Sequence, residues 1–356
     1  MNPIQQINRL FLLACAPFLG ALIWLLLVST NITMPSLSLP TIEVPFSFHQ
    51  EAIILDSKLI KANMDAVQTK SIIEQYMELY EKSTAEVNAM LQNAAAQAAK
   101  PGLIYDARIT AKLGSPVQQA SSGNIDLKLF TLNESSYKGY ALKVNLKSDK
   151  AIKLVLGNDK MGSSETTLSA VQRYGAVAGV NAGGFADDSK GKRYPLDTTV
   201  MNGKYLNGFF PSRNDTIFIG LNKDRKLIGG KFNSQAELDN LNPWMGSTFV
   251  PTLLKNGSKT SIPYQWQTSP ARAARTVMAN YKNDQLLFIV TDGYDESGNS
   301  GATLAELQDK LQQLGIVDAY NLDGGGSSTL IMNGSVINRP SDGKLRPLAT
   351  HFLFFK

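Results

Sequence analysis

Two histidines, His49 and His351, and a single cysteine, Cys15, in 356 residues narrow the chemistry open to this chain. They exclude a Cys-ligated zinc site, a disulfide framework and an HExxH helix. Catalysis or binding must come from Asp, Glu, Arg, Lys, Ser, Tyr or backbone amides. Three segments concentrate those groups. Gly179-Val-Asn-Ala-Gly-Gly-Phe185 runs from an apolar stretch into Asn181, Gly183 and Gly184. Leu286-Leu-Phe-Ile-Val-Thr-Asp-Gly293 ends on Asp292. Ala319-Tyr-Asn-Leu-Asp-Gly-Gly-Gly-Ser-Ser328 ends on Asp323, Gly324, Gly325, Gly326, Ser327 and Ser328. Each reads as a buried strand that stops at a polar, glycine-rich turn. Polar groups at strand ends often converge on one rim of a sheet, where ligands bind. Glycines there let a ligand approach the backbone and its N–H groups closely.

Taken singly, each feature has a competing structural reading. The glycine run lacks the Gly-Lys-Ser/Thr ending and four-residue spacer of a Walker sequence. It is either an anion nest or a tight turn in which Asp323 caps its own backbone. Thr291-Asp-Gly293 is a good turn sequence. Glu306 lies about 200° round a helix from Leu304, off the apolar stripe. It is either a solvated carboxylate or a complement to the positive start of that helix. Arg275 follows Arg272 in Ala-Arg-Ala-Ala-Arg and reads equally well as a surface cation.

The elements that position these residues follow from composition and pattern. The chain is 43% hydrophobic and 18% charged, enough apolar material for a packed core and too much for wholesale disorder. Runs at Ile152–Leu156, 176–180, 216–220, Leu286–Thr291, 319–322, 329–332 and 351–355 read as strands, and Asn333-Gly334 as a hairpin turn. Leu304, Leu307, Leu311 and Leu314 mark one amphipathic helix closed by Gly315, and 171–174 the end of another. The expectation is an α+β domain over 101–356: a mixed β-sheet core with flanking helices.

Upstream, Leu10 to Val28 is uncharged and spans about 28 Å as a helix, near the hydrocarbon thickness of a bilayer. Arg9 precedes it, and no charge follows before Glu43. This predicts a transmembrane signal anchor over 1–30, single-pass, with a cytoplasmic N-terminus and the remainder extracytoplasmic. A cleaved secretory signal, a lipoprotein signal ending at Cys15 and a buried core helix are the rival readings. Residues 31–50 carry Pro35, Pro40 and Pro45 and read as an extended linker. Residues 51–100 have no Gly or Pro. Ile73, Met77, Tyr80, Thr84, Val87, Leu91, Ala94 and Ala98 alternate at spacings of four and three, a heptad seam. This is either a coiled-coil stalk that could form a homodimer or a single helix packed on the domain, ended by Pro101-Gly102. The net charge of +5 would attract anionic polymers, but no basic stripe interleaved with aromatics supports nucleic acid as a partner.

Read in order, these segments resemble the phosphodiester glycosidase family. The resemblance rests on Asn181-Ala-Gly-Gly-Phe185, Arg275-Thr276, Asp292-Gly293, Gly301 followed by Leu304 and Glu306, Asn321-Leu-Asp-Gly-Gly-Gly-Ser327, and Arg346 before the last strand. It covers roughly 176–356, with Asn-Leu-Asp-Gly-Gly-Gly-Ser its most specific piece. The family pattern often has a single Gly before Phe-Phe near Asn181, where this chain has Gly183-Gly184-Phe185.

The resemblance implies cleavage of a sugar from its anomeric phosphodiester. A phosphate monoester is an anionic, weakly basic leaving group, so a strong general acid is less necessary than in ordinary glycoside hydrolysis. On this reading Arg275 and Arg346 grip the phosphate as guanidinium forks, helped by the amides and hydroxyls of Gly325 to Ser328. Asp323 is the nucleophile or water-activating base. Asp292 and Glu306 are the accompanying carboxylates, and Asn181 with its glycines contacts the sugar. No cofactor is required; three clustered carboxylates could also hold Mg²⁺ or Ca²⁺. The expected function is a membrane-anchored hydrolase of a glycosyl-1-phosphodiester in cell-surface polysaccharide or glycoconjugate metabolism. The alternatives are a non-catalytic polysaccharide-binding or scaffold protein of the cell envelope, and a glycosidase of ordinary sugar–sugar bonds.

Overall fold

The computed structural model describes residues 23–24, 46–293 and 300–356. The expected anchor at 1–30 and the proline-rich part of the linker therefore lie outside the described residues, apart from residues 23–24. No helix among the described residues is long and apolar enough to cross a membrane. The chain divides into two compact units, 1–92 and 93–356.

In the first unit the described chain is helical from Phe46 onward, and every side chain from Gln50 to Gln92 is exposed. The seam residues from Ile73 to Leu91 are among them: Ile73, Met77 and Tyr80 are 53%, 60% and 74% exposed.

The same helix runs on to Leu113, with Pro101 inside it. It does not stop at Pro101-Gly102, as the sequence suggested. An interior proline costs about 3 kcal/mol. Downstream, Ile109 and Leu113 are buried with Tyr105 packed beside them, and Lys128 pairs with Asp106 at 3.1 Å. Burying two such side chains contributes about 1.5–3 kcal/mol each, enough to carry the helix through.

Among the described residues of the second unit, strands form one eight-stranded sheet, two five-stranded sheets and a two-stranded hairpin. The large sheet runs in the order Gln118–Ser121, Ile125–Asn133, Lys138–Leu146, Leu286–Thr291, Thr276–Asn280, Asp318–Leu322, Thr252–Lys255, Ser258–Lys259. One five-stranded sheet holds Ala178–Asn181 between Leu330–Met332 and Thr350–Phe354, with Ser335–Val336 and Ile152–Leu156 at its edges. The other centres on Ile217–Asn222 and Pro243–Phe249.

All these pairings are antiparallel, which corrects the expected mixed sheet. For neighbouring strands the reason is connection length. Thr276–Asn280 returns to Leu286–Thr291 through residues 281–285 alone, and so short a link can only reverse the chain. The α+β class stands.

One face of the large sheet packs on both five-stranded sheets: Leu127, Leu142, Phe288 and Tyr320 share a core with Val180, Ile219, Phe352 and Phe354. Its other face takes helix Leu304–Leu314, whose four leucines are buried with Val277, Ile289 and Leu253. Gly315 closes that helix in the left-handed region, at φ 81°. A second helix, Thr167–Tyr174, ends at Gly175 and covers Val155, Ile331 and Leu353 of the small sheet. Asn333 and Gly334, at φ 50° and 76°, form the expected hairpin turn.

Candidate active site

Two strands from opposite layers end side by side. Ala178–Asn181 belongs to the small sheet and Asp318–Leu322 to the large one. They are tied where they stop: the Asp323 N–H donates to the Ala182 carbonyl (3.2 Å), and the Asn181 Nδ2 donates to the Asp323 carbonyl (2.7 Å). The Asn181 Oδ1 accepts from the Thr276 hydroxyl (2.8 Å) and from the Thr329 N–H (3.0 Å). Asn181 is fully buried. Its carboxamide is therefore spent holding the backbone of Asp323 in place, and little of it is left to meet a sugar.

The glycine turn folds against this tie. The Gly325 N–H donates to the Ala274 carbonyl (2.7 Å), and Gly325 sits in the left-handed region at φ 59°. At Gly326 a Cβ would collide with the Arg346 guanidinium and the Asp342 carboxylate, so only glycine admits that pair so close to the turn. Gly183 abuts Ser247 and Thr248, and Gly184 abuts Phe249 and Leu196. The Thr276 and Ser328 hydroxyls also lie within hydrogen-bonding distance (3.2 Å), and the Ser328 carbonyl accepts from Asn338 (2.9 Å).

Asp323 is the least satisfied group in this arrangement. Its Oδ1 accepts from the Gly324 N–H (3.0 Å), the self-capping contact expected of such a turn. Its Oδ2 is buried with no hydrogen-bond partner, and so is the Ser327 hydroxyl, although that hydroxyl is near enough to favour the ionised carboxylate. Burial pushes the carboxyl up to about 6; Ser327, Arg346, the Gly324 amide and Arg193 pull it part of the way back.

Two arginines thus act on Asp323. Arg346 donates from Nη2 to Asp342 (2.9 Å). Arg193 was not anticipated from sequence. It lies on the Phe185–Asp187/Arg193–Pro195 hairpin, directly across from Asp187. Its Nε and Nη2 grip that carboxylate at 2.7 Å each, its guanidinium lies 3.8 Å over the Phe185 ring, and its Nη1 bonds the Pro347 carbonyl beside Arg346.

Arg275 is placed behind the turn. It is only 5% exposed, and among the described residues no carboxylate pairs with it. Its Nε and Nη2 donate to the carbonyls of Ala302 (3.2 Å) and Pro270 (2.9 Å). Burial lowers its pKa to about 10, so it stays cationic at neutral pH. Gly324 packs on it: a Cβ there would lie 3.9 Å from the Arg275 Cδ.

Asp292 stands at the far rim. Its Oδ1 accepts from the Arg339 N–H (2.7 Å), and burial raises its pKa against the opposing effects of Arg339 and Lys138. A cleft of about 580 Å³ opens beside it, lined by Tyr140, Arg339 and Lys344 among others. The Asp342–Arg346 pair lies on the same loop that walls this cleft. Gly293 joins the rim to the turn by packing on Ser341 and Ala274.

Glu306 is drawn away. It closes a capping box: Thr303 Oγ1 accepts from the Glu306 N–H (3.1 Å), and Glu306 Oε2 accepts from the Thr303 N–H (2.8 Å). Arg272 holds both of its oxygens at 3.0 Å. Burial would raise its pKa, but hydrogen bonds from Ser136, Thr303 and Arg272 outweigh that and hold it near 2. Among the described residues no group of three or more His, Cys, Asp or Glu is placed to bind a metal ion. Glu306 is engaged by its own helix cap and by Arg272.

A family profile described as phosphodiester glycosidase matches residues 174–355, slightly more than half of the chain. The chain belongs to the phosphodiester glycosidase family. Every candidate residue above lies inside the matched segment. Among curated proteins, the mouse N-acetylglucosamine-1-phosphodiester alpha-N-acetylglucosaminidase is 29% identical over 174 residues, 45% of this chain and 32% of that protein. The human enzyme of the same name is 31% identical over 137 residues, 35% of this chain and 26% of that one. The match thus spans about a third of the length of these relatives or less. The zebrafish enzyme's catalytic domain, solved in a form auto-inhibited by its pro-peptide, superposes with a TM-score of 0.55 at 19% identity, over 68% of this chain and 87% of that one. At that identity the likeness is one of fold. This phosphodiester glycosidase fold is wider than its matched segment: strands Gln118–Ser121, Ile125–Asn133, Lys138–Leu146 and Ile152–Leu156 precede residue 174 and complete two of its sheets.

Proposed function

We propose that this chain hydrolyses the bond between the anomeric carbon of a sugar and a phosphodiester. The bridging oxygen keeps the bonding electrons and leaves on a phosphate monoester; water supplies a hydroxyl to the carbon and a proton to solvent. Asp323, ionised above about pH 6, acts at the anomeric carbon as nucleophile or as the base that takes the proton from water. Arg346 and Arg193 hold the phosphate, each braced by its own carboxylate so that the fork is fixed before substrate arrives. Arg275 adds a buried positive charge behind the glycine turn. Asp292 orients a sugar hydroxyl or the water, and the cleft beside it, with Arg339 and Lys344 on its wall, receives the group beyond the phosphate. Glu306 and Asn181 position; they do not react.

The observation that carries this reading is the buried, partnerless Asp323 oxygen in the field of two arginines. An ionised acceptor with nothing to accept from is poorly placed for stability and well placed for a reacting atom. Asp323→Asn should leave the circular dichroism spectrum unchanged and lower kcat on a sugar-1-phosphodiester by about a thousandfold or more. Turnover close to wild type would remove Asp323 from the reaction and leave a carbohydrate-binding or scaffold role.

We further propose that the domain works outside a membrane, tethered by the apolar run at 10–28 and paired with a second copy through the exposed heptad seam. The charge pattern around that run and the unbroken helix support this. Full-length protein should sediment with membranes through a carbonate wash and lose its seam-dependent dimer on Leu91→Asp. Soluble protein, or a mass unaffected by that change, would refute the corresponding part.

A further inference from the structure

A second cleft, of about 660 Å³, lies on the large sheet at the end remote from Asp323, in the size range of small-molecule sites, roughly 300–1,000 Å³. It is lined by strands Gln118–Ser121, Ile125–Asn133 and Lys138–Leu146, by Asn283 and Gln285 of the turn that leads into Leu286–Thr291, and by the helix around Asp106. Register fixes the separation. Leu286 pairs with Val144 at this end, whereas Thr291, next to Asp292, pairs with Gly139 at the other. Six extended residues at about 3.3 Å each put the two clefts about 20 Å apart.

The charges here are already matched. Lys143, 3% exposed, pairs with Asp106, as does Lys128 at 3.1 Å, and Lys147 pairs with Asp126 at 2.8 Å. The carboxamides are what is left unmatched. Gln119, Asn283 and Gln285 line the cleft, and their side chains make no hydrogen bond to any described residue; the Asn145 side chain makes one, to Asp126, at 3.4 Å. Gln285 is 8% exposed and its Oε1 is buried without a partner. A buried acceptor calls for a donor. A carboxamide offers an acceptor and a donor side by side, which suits the adjacent hydroxyls of a sugar ring. An anion would have to displace Asp106, and a cation would have to displace a lysine.

We propose that this cleft is a second, non-catalytic carbohydrate site that takes one or two rings of a neutral sugar. Such a site would hold a neutral stretch of glycan while the distant rim works on its phosphodiester, but it stands whatever the reaction at Asp323 proves to be.

The test is calorimetric titration of the full chain with cellobiose, maltose, lactose and diacetylchitobiose as neutral probes, and glucuronic acid and glucose 6-phosphate as anionic ones. At least one neutral disaccharide should bind. Gln285→Leu, similar in volume, and Asn283→Ala, on an exposed turn, should each weaken that binding about tenfold or more. Neither should change cleavage of a small sugar-1-phosphodiester, and Asp323→Asn should still bind the disaccharide. Should Gln285→Leu not fold, Asn283→Ala decides alone. Absence of neutral binding, preference for the anionic probes, or binding unaffected by the variants overturns the proposal.

Discussion

Asp323 has a proton affinity set first by burial, and this has two consequences of opposite value. For the proposed reaction the group acts in its ionised form, so kcat/KM should fall below about pH 6, measurable as a single acidic limb that disappears with the activity in Asp323→Asn. For stability, the sign is reversed. A carboxyl at about 6 in the folded chain and near 3.8 when unfolded binds its proton more tightly when folded. Its contribution is complete below about pH 4 and is lost as pH rises through 6. At pH 7 the ionised group is a liability of about 1–3 kcal/mol, less where water reaches it. Asp323→Asn should therefore melt higher than wild type at pH 7 and show little difference at pH 4. An unchanged or lower Tm at pH 7 would show that the carboxylate is better solvated than its partnerless oxygen implies. At this scale the sequence was informative where local spacing holds the chemistry. The Leu-Asp-Gly-Gly-Gly-Ser turn was visible as unusual, and its aspartate carries the buried, unpartnered oxygen. Arg193 was invisible because nothing local marks it; it reaches the site through a hairpin whose partner strand carries Asp187.

Helix Leu304–Leu314 shows how an element can claim a residue from a site. Thr303 and Glu306 have the Ser/Thr-x-x-Glu spacing of a capping box, so the structural reading of Glu306 was present in the sequence beside the catalytic one. Glu306→Gln should keep part of the cap and lose the Arg272 pair, lowering stability by about 1–2 kcal/mol at pH 7. With its pKa held near 2 against 4.5 for the free group, that contribution is present above about pH 4.5 and disappears as pH falls through 2. Turnover per folded molecule should stay within a few-fold of wild type; a loss of orders of magnitude would return Glu306 to the chemistry. Strand positions were easiest to read where both faces are buried, as in Leu286–Thr291. Lys138–Leu146 was harder because Lys143 interrupts its apolar pattern, and that lysine is accommodated only by an aspartate on a distant helix. Pro101 was misread for a related reason. The local rule ends a helix there, and burial of Ile109 and Leu113 overrides it.

Over the whole molecule, the segment shared with the family is not a self-sufficient piece. A chain beginning at residue 174 would lose three strands from the large sheet and leave Leu286–Thr291, all of it buried, as an open edge. It should aggregate, whereas a chain beginning at residue 93 should unfold cooperatively and reversibly; light scattering and thermal melts distinguish them. A soluble, cooperatively melting 174–356 would mean that the early strands are dispensable. No sequence pattern announced this dependence, because it arises from pairings between residues more than a hundred positions apart, such as Phe288 with Leu142 and Phe352 with Leu154.

One amide side chain, that of Asn181, spans the seam between the two layers and grips the main chain of Asp323. It behaves as a pin through two plates. Any slippage of one plate over the other withdraws the pin before the plates themselves come apart, so rising urea should silence the enzyme while its ellipticity is still intact.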